Sequence, residues 1–416
     1  MSANGPGPGD DAGSGRGNAG RAIGPSGSNG QDMTRRGHQI FAEELAGFAA
    51  GHADPRVTAI AERAAAPLRV LVCGRGGVGR STVAHALDRA GGALGITATI
   101  GATPPTCAGD SAPALGEIFD EIRADVVVYV TAEVVKPEDI DAIGTAGRPV
   151  LAVLNKADLA GSLSGRAGDE PMVAARMRCA DLSALVGVPM EPMIGLLAVA
   201  ALDDLDGALW AALRVLAADP GGATCLDGSF AGFLDADVAV PTDVRLRLLD
   251  TLDLLGTALG IAAVQQGRTP AQLRALLRRM SGVDAVLTAV AALGAEVRYQ
   301  RMLEVVAELE ALAVGQGDLG DSISGFLSCD DTVVARMAVA VDLAEAAGLG
   351  PTDLAPGNLD RDDPAAHLPR AVHWQRYSLG RLGPVSDLHR ACGTDIARGS
   401  LRLWSQTCGS LPGESW

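Results

Sequence analysis

Apolar residues along this chain arrive in two rhythms. Between residues 67 and 218, short unbroken apolar runs alternate with stretches of helical spacing. "LRVLVCG", "DVVVYVTAEV" and "PVLAVLNKADL" lack polar alternation, as strands covered on both faces do. "STVAHALDRAG" and "MVAARMRCADLSALVG" have helical spacing and end at glycine, and "DLDGALWAALRVLAA" closes the series. "PMEPMIGLLAV" reads as one further strand. Strand–helix alternation of this kind predicts an α/β fold with a doubly wound, mostly parallel sheet.

From 219 to 350 the rhythm changes. "VRLRLLDTLDLLGTALGIAAVQQG", "TPAQLRALLRRMSG" and "VDAVLTAVAALGAEVRYQRMLEVVAELEALAVG" are successive helical patterns, which predict an α-helical domain after the sheet. Thr269, Pro270 and Gln272 form a helix start, with a cap, a first-turn proline and a capping-box partner. Residues 351–416 read as an irregular or helical tail packed on the rest. Within it His373, Trp374, Arg376, Tyr377 and His389 cluster, either as a partner surface or, the favoured reading, as a small aromatic core closing the C-terminus. Residues 1–37 are rich in Gly, Ser, Pro, Asn and Asp. They cannot offset the entropy of ordering, which predicts a disordered leader. Residues 38–66 predict a helical lead-in broken at Pro55.

Composition narrows the function classes. With 416 residues, 48% hydrophobic and 20% charged, the chain has the balance of a soluble globular protein. A net charge of −16 and 3% aromatic residues argue against nucleic acid as a partner. Seven cysteines without a CxxC pair read as reduced thiols, which argues against zinc. The N-terminus has no apolar signal core, and the apolar runs fall short of the about 20 residues a bilayer requires. The expectation is a cytoplasmic protein without a transmembrane segment. Contact with a protein partner or a membrane surface through the helical C-terminal half stays open. Only Lys136 and Lys156 are lysines, against many arginines, so an arginine in a lysine's place carries little meaning by itself.

Two short stretches carry chemistry. "CGRGGVGRST" supplies Gly74, Arg75, Gly76, Gly77, Val78, Gly79, Arg80, Ser81 and Thr82 between a buried strand and a helix. The spacing is that of a phosphate-binding loop, with Arg80 at the lysine position. Glycines let the backbone turn its N–H groups inward, and the following helix sets its positive end at the phosphates. Ser81 offers a hydroxyl to Mg²⁺. Arginine is bulkier than lysine and favours bidentate geometry, so Arg80 weakens or obstructs the loop. A glycine turn serving only close packing is the plainer alternative. Downstream, Asn155, Lys156 and Asp158 form N-K-x-D immediately after an apolar strand.

With both stretches in this order, the domain resembles the P-loop GTPases of the translation-factor, Era-like and dynamin-like class. The resemblance implies that Asp158 reads the guanine edge, Asn155 braces the loops and Lys156 lies along the base. It implies GTP or GDP as ligand and Mg²⁺ as cofactor. A carboxylate that accepts guanine's ring N–H and exocyclic amine is left unpaired by adenine, at a cost of about 1–3 kcal/mol.

Other family features are not recognisable. The one formal D-x-x-G, Asp88 to Gly91, falls on the helix after the loop and faces the wrong way. Thr97, Thr99 and Thr103 are candidate switch threonines, and Asp110 is a remote metal candidate with a turn role as the plainer account. The "SAL" at Ser183–Leu185 precedes its expected strand, and Gly195–Leu196 is nearer the family's last base-binding position. Without a P-loop lysine or a recognisable switch, hydrolysis is expected to be slow or absent. The expectation is a guanine-nucleotide-binding regulatory or assembly factor.

Two alternatives stand beside it. "RGGVGRST" also resembles the deviant loop of MinD/ParA partitioning ATPases, in which Arg75 would take the place of a lysine that reaches across a dimer. The other alternative is a pseudo-GTPase scaffold that binds no nucleotide.

Overall fold

The computed structural model describes residues 36–101, 123–160, 171–219, 222, 229–315, 317–349 and 364–409. The leader expected over 1–37 lies almost wholly outside them. Two lead-in helices, α1 (Gly37–His52) and α2 (Pro55–Ala65), break at the Asp54–Pro55 step, where the Asp54 side chain caps α2 by accepting from the Arg56 amide. Then follow β1 (Leu68–Gly74), α3 (Arg80–Gly91), β2 (Ile96–Ile100), β3 (Val126–Ala132), α4 (Pro137–Gly144), β4 (Val150–Asn155), α5 (Pro171–Val186) and β5 (Met190–Pro192). All five strands run parallel in the order β2-β1-β3-β4-β5.

Along β1, β3 and β4 both faces of this sheet are buried, which explains the continuous apolar runs. Leu68, Val70 and Val72 of β1, with Val126, Val128 and Val130 of β3, point into one core beneath α3. Leu71, Cys73, Val127, Tyr129, Ala152 and Leu154 point into the other, beneath α4 and α5. The sheet is doubly wound, and its strand order reverses direction between β1 and β3. In open α/β sheets ligands gather at the carboxyl ends of strands at such a switch point.

The expected strand "PMEPMIGLLAV" is a three-residue strand followed by a helix, α6 (Gly195–Leu202). An apolar run of that length fits either a buried strand or a buried helix, and periodicity does not separate them. The helical half comprises α7 (Gly207–Ala218), α8 (Phe230–Asp235), α9 (Thr242–Gln265), α10 (Pro270–Ser281), α11 (Val283–Leu293), α12 (Ala295–Ala313), α13 (Asp318–Ser328) and α14 (Asp330–Ala346). It is not a separate body, because residues 36–416 form one compact unit. Val283, Val286, Leu287 and Val290 of α11 complete the sheet core on the α3 side. The helix is amphipathic: Asp284, Ala285, Thr288 and Ala292 stay exposed while its apolar face seals the sheet.

Between residues 364 and 409 the described chain is mostly helical, with α15 (Pro364–Ser378, containing Pro369) and α16 (Asp387–Gly409) packed in the core that α14 joins. Trp374 is 5% exposed and stacks edge-on with Tyr377 inside the helical core, while the His373 ring meets Trp374 from outside. Among the described residues one helix, α9, is long and apolar enough to cross a membrane, and half of its apolar window is buried in the protein. It is interrupted at Asp253 and packs against α7 and α8 in a common core, so no clear transmembrane segment emerges.

One buried charge in the helical half has a testable consequence. The Asp342 carboxylate on α14 accepts from the Gly37 amide at the start of α1 (2.9 Å). Burial pushes its pKa up to about 6, with Glu345 adding repulsion and Arg36 and Arg298 opposing. The fold therefore favours the protonated form, and that contribution is lost as pH rises from the ordinary carboxylate range through about 6. Asp342→Asn keeps an acceptor for Gly37 and removes the buried charge. Denaturant unfolding at about pH 7 should show a gain of up to about 3 kcal/mol, shrinking toward about pH 4.

Candidate functional site

The glycine-rich turn leaves β1 at its switch-point tip. Gly74 has φ 142° and lies so close to β3 that an added Cβ would stand 2.3 Å from the Val130 carbonyl oxygen. Gly79 has φ 87° and a Cβ there would meet the Asn155 amide nitrogen at 2.4 Å. Both positions demand glycine. Val78 sends its side chain into the sheet core, while Gly76 and Gly77 are exposed. The first amides of a helix have no partner within it. In α3 these belong to Arg80, Ser81 and Thr82, ahead of the bond from the Val83 amide to the Gly79 carbonyl (3.0 Å). The Ser81 side chain is exposed beside them and Thr82 is half-buried. The unpartnered amides and positive end of such a helix start suit an anion.

Asn155 ends β4 and is 3% exposed. Its Nδ2 donates to the Val78 carbonyl in the glycine-rich loop (2.8 Å), and its Oδ1 accepts from the Gly195 amide (2.9 Å). One side chain thus joins three turns: those after β1, β4 and β5. β3 lies between β1 and β4, so the loops meet above its tip rather than at neighbouring strands. Lys156 is exposed and held at φ 56°, the left-handed region. Asp158 is half-buried in the short 3₁₀ turn Ala157–Ala160. Burial raises its pKa, the negative charge of Asp253 raises it further, and Lys156 counters. Asp253 belongs to α9, where its backbone leaves helical geometry at φ 60°.

Both loop cations already have protein partners. An Arg80 Nη donates to the Gly101 carbonyl at the end of β2 (3.4 Å). Arg75 turns the other way, across the crevice between β1 and β3. Its Nε donates to Asp139 (2.9 Å) and an Nη donates to the Val134 carbonyl (3.2 Å). Asp139 and Tyr129, which donates its hydroxyl to the same carboxylate (2.8 Å), were not singled out in the sequence. The only local signal was the acidic first turn of α4 behind Pro137, which reads as ordinary helix capping.

The remaining candidates fall elsewhere. Asp88 accepts from the Ala98 amide of the edge strand β2 (3.1 Å), away from the loop. Thr97 and Thr99 face outward from the middle of β2, paired with Arg69 and Leu71 rather than standing at a strand tip, so neither fits a switch threonine. Thr103 and Asp110 lie outside the described residues. Ser183 is on α5, donating to the Val188 carbonyl (2.7 Å). Gly195, in contrast, is at the site through its bond to Asn155.

No protein-family model matches the chain, and no curated protein matches its sequence.

Asn155→Ala leaves the Val78 carbonyl and the Gly195 amide without their side-chain partner. Chemical denaturation should register a loss of about 2–4 kcal/mol.

Proposed function

We propose that this chain binds a guanine nucleotide over the tips of β1, β3 and β4, hydrolyses it slowly or not at all, and acts as a regulatory or assembly factor. The observation that carries the reading is the Asn155 bridge between the Val78 carbonyl and the Gly195 amide. It brings a phosphate-type loop and a guanine-type carboxylate turn to one place. In this reading the amides at the start of α3 take the phosphates, and the Asp158 carboxylate accepts from the guanine edge. The exposed Ser81 hydroxyl at the positive end of α3 suits a Mg²⁺ ligand, and Ser81 would hold the ion. The cation would supply charge neutralisation for the phosphates. Arg80, engaged with the Gly101 carbonyl, is a poorer phosphoryl-transfer cation than a compact lysine, which supports slow turnover. The partitioning-ATPase reading requires Arg75 to reach a second subunit, and the Asp139 ion pair holds it within its own chain.

Calorimetric titration with GTP, GDP and ATP, with and without Mg²⁺, tests this. Guanine nucleotides should bind and ATP should not. Asp158→Asn should weaken guanine binding about tenfold or more, and Arg80→Lys should raise hydrolysis. ATP-selective binding with dimerisation would replace this reading with the partitioning one, and no response to any nucleotide would leave a scaffold.

The raised pKa of Asp158 adds a pH signature. Its carboxylate protonates at higher pH than an ordinary one and then loses acceptor capacity. GDP affinity should therefore fall as pH drops from about 7 to about 4, and Asp253→Asn should move that fall to lower pH.

A further inference from the structure

The glycine-rich loop has two side-chain tethers, and the sequence motifs account for only one. Asn155 holds the Val78 carbonyl from the β4 side. From the helix that follows β3 comes a second hold: Arg75 reaches the first turn of α4, with Nε donating to both Asp139 carboxylate oxygens (2.9 and 3.2 Å). Asp139 is 1% exposed. Its oxygens also accept from the Tyr129 hydroxyl (2.8 Å) and the Lys136 amide (2.8 Å). A charge so deeply buried persists only with such partners. Between the tethers, Gly76 and Gly77 have open space where a side chain would stand, so packing does not fix their backbone. The bridge crosses the β1–β3 switch point, where the ligand of an open α/β sheet gathers.

We propose that Asp139, oriented by Tyr129, is a positioning residue for phosphate binding: through Arg75 it holds residues 75–79 in their phosphate-receiving shape before any ligand arrives. This rests on the guanine-nucleotide reading. Pre-ordering the turn removes an entropic cost that diphosphate binding would otherwise carry. The bridge attaches to the loop at Arg75 and not to the turn that holds Asp158, so the effect belongs to the phosphates and spares the base.

The test pairs two readouts on the full chain. Asp139→Asn keeps the shape and removes the charge, Arg75→Ala removes the tether, and Tyr129→Phe removes one hydroxyl. Titration with GDP and with guanosine should show GDP weakened about tenfold in Asp139→Asn and in Arg75→Ala, with guanosine unchanged within about twofold. The double variant should lose no more than either single one, and Tyr129→Phe should show a smaller loss of the same kind. Hydrogen exchange without ligand should quicken at residues 75–79 in the variants, while the β1 amides stay protected. If Asp139→Asn fails to fold, Arg75→Ala and Tyr129→Phe carry both readouts. Unchanged loop exchange overturns the tether whether or not nucleotide binds. Equal losses for GDP and guanosine also overturn it, because they indicate general disruption. Quickened exchange in a chain whose wild type binds no guanine nucleotide sinks the nucleotide reading and the phosphate role, and leaves a loop brace alone.

Discussion

A single buried amide side chain organises the carboxyl end of this sheet. Asn155 has a donor and an acceptor on one rigid plane, and it satisfies a carbonyl after β1 and an amide after β5 at once. No apolar residue could occupy that point without stranding two backbone groups in a dry environment. A carboxylate would set a negative oxygen against the Val78 carbonyl. The close approach of Gly79 and Gly195 follows, since a side chain at either would press on the Asn155 amide, at 2.4 Å and 3.0 Å. The glycine-rich turn and the turn after β5 are therefore both constrained by one residue at the tip of β4.

The helical half is tied into the same point. Gly195, whose amide Asn155 holds, opens α6, and the neighbouring Ile194 amide donates to the Ser281 carbonyl at the end of α10 (2.8 Å). Gly282, between α10 and α11, presses on the Pro192 carbonyl closely enough that an added Cβ would stand 2.5 Å away. Gly256 of α9 meets Leu197 of α6 in the same close manner. Asp253, one turn earlier on α9, raises the pKa of Asp158. The turn that holds Asp158 thus feels the charge of a helix that follows it by about a hundred residues of chain.

Much of this was legible in the sequence and some was not, for identifiable reasons. The strands showed themselves because parallel strands buried on both faces must be apolar throughout. The glycines at 74 and 79 stood out through their spacing, because close backbone approach restricts residue type sharply, whereas a loop-bracing Asn155 was implied only by the resemblance to P-loop GTPases. The division of "PMEPMIGLLAV" into strand and helix was not legible, since burial on all sides erases the periodicity that separates them. The fit of α11 against the sheet was hidden because an amphipathic helix advertises a face to be buried without naming its partner. Asp139 and Asp253 were missed because their significance lies in charges far along the chain, Arg75 and Asp158, which local pattern does not encode. The irregular backbone at Asp253 has neither glycine nor proline to announce it.

A structure of the chain solved with GDP and Mg²⁺ tests the central claim most directly. It should show the β-phosphate ringed by amides of residues 76–82, the guanine edge on the Asp158 carboxylate, and the Asn155 side chain still spanning Val78 and Gly195 between them. A diphosphate bound elsewhere, or one in the turn with its base directed away from Asp158, would contradict it.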